Sequence, residues 1–201
     1  GPSSSGKTTF ANRLRLQLLS VGIRAIRISI DDYYLSRDEI KRDENGEIDL
    51  ESVDALDIKL LNEQMLQLIE GDEVVLPHFD FKLGKRVPGR KLKVEKNQPI
   101  IIEGIHALND DLTSLISKSQ KFKIFIAPQA QINIDNHNPI SLTDLRLLRR
   151  IVRDNRTRGY NVQDTLKSWD KVRNGEIKYV FPFTNQANVI LNTAYTYEMG
   201  L

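Results

Sequence analysis

Cysteine is missing from this chain. Disulfides and thiolate metal sites are thereby excluded, and the composition suits a reducing compartment, so the cytoplasm is the expected location. Histidine is scarce. His78, His106 and His137 are the whole complement, and no two have the spacing of a zinc-binding pair. A lone histidine more often packs or hydrogen-bonds than catalyses, and all three are read that way. No apolar run approaches 18 residues, so no membrane partner is expected. Neither sign of charge is in large excess: a formal net charge of +2 gives no argument for nucleic acid as a partner. The N-K-x-D signature that reads guanine in nucleotide switches is absent too. Repeats, linkers and low-complexity stretches are also lacking. What remains is ordinary globular material, 40% hydrophobic and 28% charged, enough to bury one core in a single domain spanning residues 1–201.

The most informative stretch is the first nine residues, Gly1-Pro2-Ser3-Ser4-Ser5-Gly6-Lys7-Thr8-Thr9. They satisfy the phosphate-binding pattern G-x-x-x-x-G-K-[ST] at each fixed position. The glycines let the backbone turn tightly, so that successive N–H groups form a nest for phosphate oxygens. Lys7 reaches toward β- and γ-phosphates, and the Thr8 hydroxyl suits a magnesium ion. A helix over 7–21 follows at once, its positive end toward the anion. Phe10, Leu14, Leu18 and Val21 share its inward face. A loop of this kind ordinarily follows a buried strand. The chain is therefore expected to be a fragment, with an apolar strand preceding Gly1 and lying between the strand that ends at Ile30, or its neighbour, and the one at 100–102.

Residues 24–30 alternate apolar and polar, as a strand does, and end at Asp31 and Asp32. Ligands of open α/β sheets bind at the carboxyl ends of strands, so Asp31 is a candidate for catalysis and Asp32 is read first as a cap. Segment 36–49 is densely charged and reads as exposed and mobile, with a turn at Asn45-Gly46. Within it, Asp43 to Gly46 imitates the D-x-x-G of GTPases by chance, because no apolar strand precedes it. A second amphipathic helix covers 57–70, with Ile58, Leu61, Met65, Leu68 and Ile69 inward. Residues 73–94 read as an inserted β-hairpin around a basic turn. Pro77 and Pro88 keep its strands out of the main sheet. Its lysines and arginines, 82 to 93, serve either as a solvated edge or as a wall for an anionic ligand.

Three isoleucines at 100–102 suit a parallel strand buried on both faces, and Glu103 at its tip stands where nucleotide enzymes hold magnesium. Residues 121–127 form another strand, and 128–141 a polar loop. The next helix carries Arg146, Arg149, Arg150, Arg153, Arg156 and Arg158 before Gly159. Such density over 144–160 reads as a lid, because arginine binds two phosphate oxygens at once and stays charged. A helix over 162–172 anchored by Trp169 and a last strand at 188–191 complete the chain. The expected fold class is α/β: a three-layer, doubly wound parallel sheet of the P-loop type with a small hairpin and a helical lid.

Several of these segments together resemble the uridine kinase and phosphoribulokinase family of P-loop kinases, over nearly the whole chain. The resemblance is carried by Ser29-Ile-Asp31-Asp-Tyr-Tyr34, Pro77-His-Phe79-Asp80-Phe81, Ile102-Glu103-Gly104-Ile105 and the run Arg149-Arg150-Ile-Val-Arg153-Asp154-Asn-Arg-Thr-Arg158-Gly159. The resemblance is strongest to bacterial nucleoside kinases that carry an N-terminal region similar to that of threonyl-tRNA synthetase, which implies a continuation before Gly1. It implies transfer of the γ-phosphoryl of ATP, with Mg²⁺, to the 5′-hydroxyl of a nucleoside acceptor. In that reading Ser3, Ser4, Ser5, Gly6, Lys7, Thr8 and Thr9 follow Gly1 as the nucleotide-binding loop. Thr8, Glu103 and Asp31 form the metal site. Asp31, Lys7, Arg153 and Arg158 act in catalysis. Tyr34, Phe79, Phe81, Ile105, Arg150 and one of Asp49 or Glu51 meet the acceptor. One departure matters: the base-reading histidine of animal uridine-cytidine kinases has no counterpart in Lys82-Leu83-Gly84-Lys85. Phosphorylation of ribulose 5-phosphate or pantothenate, and a non-catalytic nucleotide-binding module, are the rival readings. The resemblance leaves room for a homo-oligomer.

Overall fold

A computed structural model describes residues 1–42, 46, 48–129, 132–133 and 135–195. The phosphate-loop turn ends at Gly6, whose φ of 88° only glycine adopts without strain, and helix α1 (Lys7–Ser20) starts there. Ala11 is the buried residue of α1, while Phe10, Leu14 and Leu18 are half-buried. Val21, expected inward, is 70% exposed, because the helix stops at Ser20 and Val21 is already its C-cap.

Strand β1 (Ile26–Ser29) runs into a 3₁₀ turn, Ile30–Tyr33, that presents Asp31 and Asp32 beyond the strand end. Helix α2 (Ile58–Glu70) begins where the Asp57 carboxylate accepts the Leu60 N–H at 3.0 Å, and it stops at Gly71, φ 92°. Leu61, Met65 and Leu68 enter the core, but Ile69 is 47% exposed, on the flank of the helix rather than its inward face. Strands β2 (Glu73–Asp80) and β3 (Lys85–Lys93) pair antiparallel, separate from the parallel strands. Pro77 sits opposite Pro88, with a shift of register between Val75 and Pro77, so the two residues without an N–H face each other where the ladder is already irregular.

Strand β4 (Ile100–Glu103) pairs parallel with β1, setting Ile26 against Ile100 and Ser29 against Glu103. The tips carrying Asp31 and Glu103 thus lie side by side. Strand β5 (Ile124–Ala127) pairs in the same manner with β8 (Val189–Asn192). Two short strands, β6 (Ile132–Asn133) and β7 (Pro139–Ile140), pair within the segment expected to be only a polar loop. Helix α3 (Leu142–Arg153), capped by Ser141, continues into a single π-turn, Asp154–Arg158, closed by Gly159 at φ 73°. Helix α4 (Val162–Tyr179) is longer than the sequence pattern suggested, because its polar C-terminal half buries Gly175 and Glu176 against its neighbours.

The main core gathers β1, α2, β2 and the Ile30–Tyr33 turn. A second cluster joins Phe125 and Ala127 of β5 to Leu108 and Val180. Two expectations are corrected here. Of the two placements expected for a further strand, the one between β1 and β4 is ruled out, since those strands hydrogen-bond directly. The strands that face one another across open space are β4 and β5, which line an apolar cavity of about 830 Å³ together with Phe10, Leu14 and Leu18 of α1. Segment 36–49 is not uniformly exposed either: Ile40 is buried, and Ile48 packs on the core. Of the D-x-x-G look-alike and the Asn45-Gly46 turn, positions 43–45 lie outside the described residues, while Gly46 has φ 76°.

Candidate active site

A cavity of about 750 Å³ opens at the carboxyl ends of β1 and β4. The phosphate loop forms its floor through Ser3, Ser4, Gly6, Lys7, Thr8 and Thr9. Ser4 has φ 55° and Gly6 φ 88°, with Ser5 between them, and this alternation turns backbone N–H groups inward as a nest. Gly1 and Ser5 do not line the cavity. A Cβ at Gly1 would overlap the Ile126 carbonyl oxygen, and Ser5, fully buried, offers its carbonyl to the Thr193 hydroxyl at 2.7 Å. Their part in the loop is backbone geometry. Lys7 Nζ donates to the Pro2 carbonyl at 2.8 Å. Burial pushes its pKa down to about 8, with Arg153 adding to the effect while Asp31 and Glu103 oppose it.

Glu103 is buried at the tip of β4. Its Oε1 accepts the Thr8 hydroxyl at 2.9 Å and the Arg27 guanidinium at 3.0 Å. Thr8, Glu103 and the nearby Asp31 offer hard oxygen donors, which suit magnesium. No group of three or more acidic or histidine side chains among the described residues could enclose a metal by itself. The donor set therefore fits an ion that takes most of its ligands from phosphates and water.

Asp31 and Asp32 are adjacent, but their surroundings differ. Asp32 accepts from the Phe79 N–H at 3.3 Å and contacts His78 Nδ1 at 2.9 Å, which ties the turn to β2. Asp31 lines the cavity, and its nearest ion-pair partner is Arg158, at 3.7 Å. Arg158 in turn lies over the Phe81 ring, 4.2 Å from its centroid. Phe79 and Phe81 stand 5.1 Å apart, and Tyr34 stands 5.5 Å from Phe79, in tilted or edge geometry. With Ile105 they make one aromatic and aliphatic wall of the cavity.

Asp49 and Glu51 both line this cavity, but their roles separate. Asp49 spends Oδ1 on the Glu51 N–H at 2.9 Å. Burial pushes the Glu51 carboxyl up to about 7, with Arg150 pulling the other way. His106 does not reach the cavity. It is 1% exposed, stacks edge-on against Tyr179, and burial pushes its pKa down to about 4, so it is a neutral packing group at pH 7.

The arginine-rich segment brings Arg149, Arg150, Arg153 and Arg158 to the cavity. Asp154, 2% exposed, gathers three of them: Arg153 at 2.7 Å, Arg150 at 3.2 Å and Arg158 at 3.9 Å. Arg150 also donates to the Ser3 hydroxyl at 2.8 Å. Arg146 points elsewhere. It is buried, donates to the Ser3 carbonyl at 3.1 Å and pairs with Glu176. Sequence reasoning missed Asp154, Glu176 and the outer end of the cavity, where Arg13, Thr193 and Tyr195 stand. An acid inside an arginine run was a visible signal for Asp154. Nothing local marked Glu176 or Tyr195.

A phosphate loop under a parallel strand pair, with acids at both strand tips and arginines above, defines a P-loop phosphotransferase-type nucleotide site on an α/β fold. Residues 1–199 match the phosphoribulokinase / uridine kinase family. The chain belongs to that family. It is 30% identical over 192 residues to uridine kinase-like protein 5 of Arabidopsis thaliana, covering 95% of this chain and 37% of the plant protein. It is 29% identical to the uridine kinase of Halalkalibacterium halodurans, covering 95% of this chain and 82% of that protein. Among solved structures, a protein of Silicibacter sp., provisionally called a fructose transport system kinase, superimposes with a TM-score of 0.66 at 17% identity, over 95% of this chain and 86% of its own.

Proposed function

We propose that this protein is an ATP- and magnesium-dependent kinase that phosphorylates the 5′-hydroxyl of a ribonucleoside. The observation that carries the reading is one cavity holding both halves of such a reaction. The phosphate loop is at its floor, and Asp31, Glu51 and the Tyr34–Phe79–Phe81 wall stand at its acceptor side. A flat neutral base is held by aromatic and aliphatic walls, and ribose hydroxyls by carboxylates. Glu51, rather than Asp49, is the carboxylate for those hydroxyls, since Asp49 is engaged in shaping the backbone.

In this reading the loop N–H groups and Lys7 hold the β- and γ-phosphates. Asp31 accepts the proton of the attacking hydroxyl. Arg153 and Arg158 place positive charge beside the transferring group and exclude water from it. Arg150 bridges the loop at Ser3 and the acceptor side. Thr8 and Glu103 would hold Mg²⁺, which when bound neutralises phosphate charge. Thr193, Tyr195 and Arg13 border the donor end.

A sugar phosphate acceptor would need cations at the acceptor wall. The hairpin's lysines and arginines do not line the cavity. Arg86 pairs with Asp57 at 2.8 Å, Lys91 pairs with Glu73 at 3.1 Å, and Arg90 caps the Arg27 carbonyl at 2.7 Å. That removes the hairpin as an anionic-ligand wall, and the cations beside the acceptor wall, Arg150 and Arg158, are shared with Asp154. The test is ADP release from Mg·ATP with uridine, cytidine, 2′-deoxyuridine, ribulose 5-phosphate and pantothenate in turn. Turnover with a ribonucleoside, weaker turnover with the deoxy analogue and little with ribulose 5-phosphate is expected. Robust turnover with the sugar phosphate and none with any nucleoside would overturn the reading. No acceptor-dependent ADP release at all would favour a non-catalytic module.

A further inference from the structure

Helix α4 contains a glycine that its own geometry does not require. Gly175 lies in the helix interior, its φ is not positive, and glycine there costs about 1 kcal/mol relative to alanine. The reason is space. A Cβ at Gly175 would overlap the Cβ of Glu51 and stand 3.1 Å from its Cγ. These are inner atoms of Glu51, and they cannot swing aside as the tip of a side chain can. The backbone around Glu51 is fixed from the other side as well. The Glu51 N–H bonds to Asp49 at 2.9 Å, and the Tyr34 hydroxyl donates to the Leu50 carbonyl at 3.0 Å. Glu51 is thus seated between its own turn and the bare backbone of α4.

The next residue on α4 grips the donor side. Glu176, 1% exposed, accepts the Ser3 N–H of the phosphate loop at 2.8 Å and is itself held by Arg146 and Arg173. We infer that Gly175 is a positioning residue for the acceptor, seating Glu51 against the same helical step that fixes Ser3, so that α4 sets the spacing between the acceptor hydroxyls and the phosphate loop. The inference deepens the proposed function and rests on it for the identity of the acceptor.

The experiment is Gly175→Ala in the whole 201-residue chain, with Asn174→Ala, on the exposed face of α4, as control. Displacement of Glu51 by a fraction of an ångström to about 1 Å should raise KM for uridine about 10- to 100-fold. KM for ATP should stay within about twofold, because Glu176 still holds Ser3. A second readout does not depend on the acceptor. In protein labelled at glutamate ¹³Cδ, with Glu51 assigned by Glu51→Gln, the Glu51 titration midpoint should move down toward the ordinary carboxylate range as the group is pushed from its seat. If uridine is not a substrate but the midpoint moves, the acceptor assignment fails and the seat stands. An unchanged midpoint, or equal changes in both KM values, overturns the seat. Should Gly175→Ala fold poorly, Gly175→Ala/Glu51→Gly removes the obstructing Cβ and must restore folding. A double variant as unstable as the single one also overturns it.

Discussion

Two aspartates at consecutive positions, 31 and 32, do different things because of what stands opposite each. Asp32 is consumed by His78 and the Phe79 N–H, whereas Asp31 faces the cavity. Asp31→Asn is therefore expected to lower kcat about 10²- to 10⁴-fold, the range of a lost general base, while Kd for ATP changes little. Asp32→Asn should instead lower the melting temperature with kcat nearly intact. Single-turnover kinetics and nucleotide titration on both variants check the division. Lys7 makes a second residue-scale prediction. Burial holds its pKa near 8 in the nucleotide-free site, and added phosphate charge favours the ammonium form. ATP binding should then take up a proton between about pH 8 and the ordinary lysine range near 10.4, and none at pH 6.5. Calorimetric enthalpies in buffers of differing ionisation heat read that uptake directly. Equal enthalpies in all buffers at pH 8.5 would show that Lys7 is already charged. Most of these side chains were legible in the sequence, because motif spacing names residues. Their partners were not: Glu176 meets Ser3 across 173 positions of chain, and no local pattern reports such a contact.

At the scale of elements, the arginine-rich segment depends on one carboxylate. Asp154 lies at the step from α3 to the π-turn and bridges Arg150, Arg153 and Arg158, offsetting part of their mutual repulsion. Removing a buried partner of this kind leaves like charges facing one another. Asp154→Ala should cost about 2–4 kcal/mol in urea unfolding, at the lower end of buried pairs because Arg153 retains partial access to water. It should also lower kcat by about 10²-fold or more by releasing the arginines from register. Unchanged kcat in a folded Asp154→Ala protein would detach the arginine cluster from catalysis. Periodicity made α1 and α2 readable in advance, a basic turn between two short segments the β2–β3 hairpin, and an unbroken run of isoleucines the strand β4. The π-turn was not, since it continues a helical pattern without a break in composition. Nor was the β6–β7 pair, whose two-residue strands fall below any periodic signal. The C-terminal half of α4 escaped for a different reason. Its buried face carries glycine and glutamate in place of apolar residues, so a hydrophobic pattern ends before the helix does.

For the molecule as a whole, the fold class could be read from a phosphate loop and strands tipped with acids. The order of the strands could not. Parallel pairing depends on crossovers, and nothing in residues 24–30 or 100–102 states that they are direct neighbours. The cavity between β4 and β5 follows from that order, and it bears on behaviour in solution. Within the described residues, the facing edges of both strands lack strand partners, and isoleucine, leucine and phenylalanine line the slot alongside charged residues such as Glu95, Lys121 and Lys123. Such a slot is a template for extended chain. The 201-residue chain should bind the dye ANS more strongly than a protein with a filled core, and its light scattering should climb with concentration. A short, valine- and isoleucine-rich peptide that enters the slot should quench the dye signal, suppress the scattering and raise the melting temperature in proportion to the logarithm of its concentration. Negligible ANS fluorescence together with concentration-independent scattering would mean that the slot closes upon itself in water.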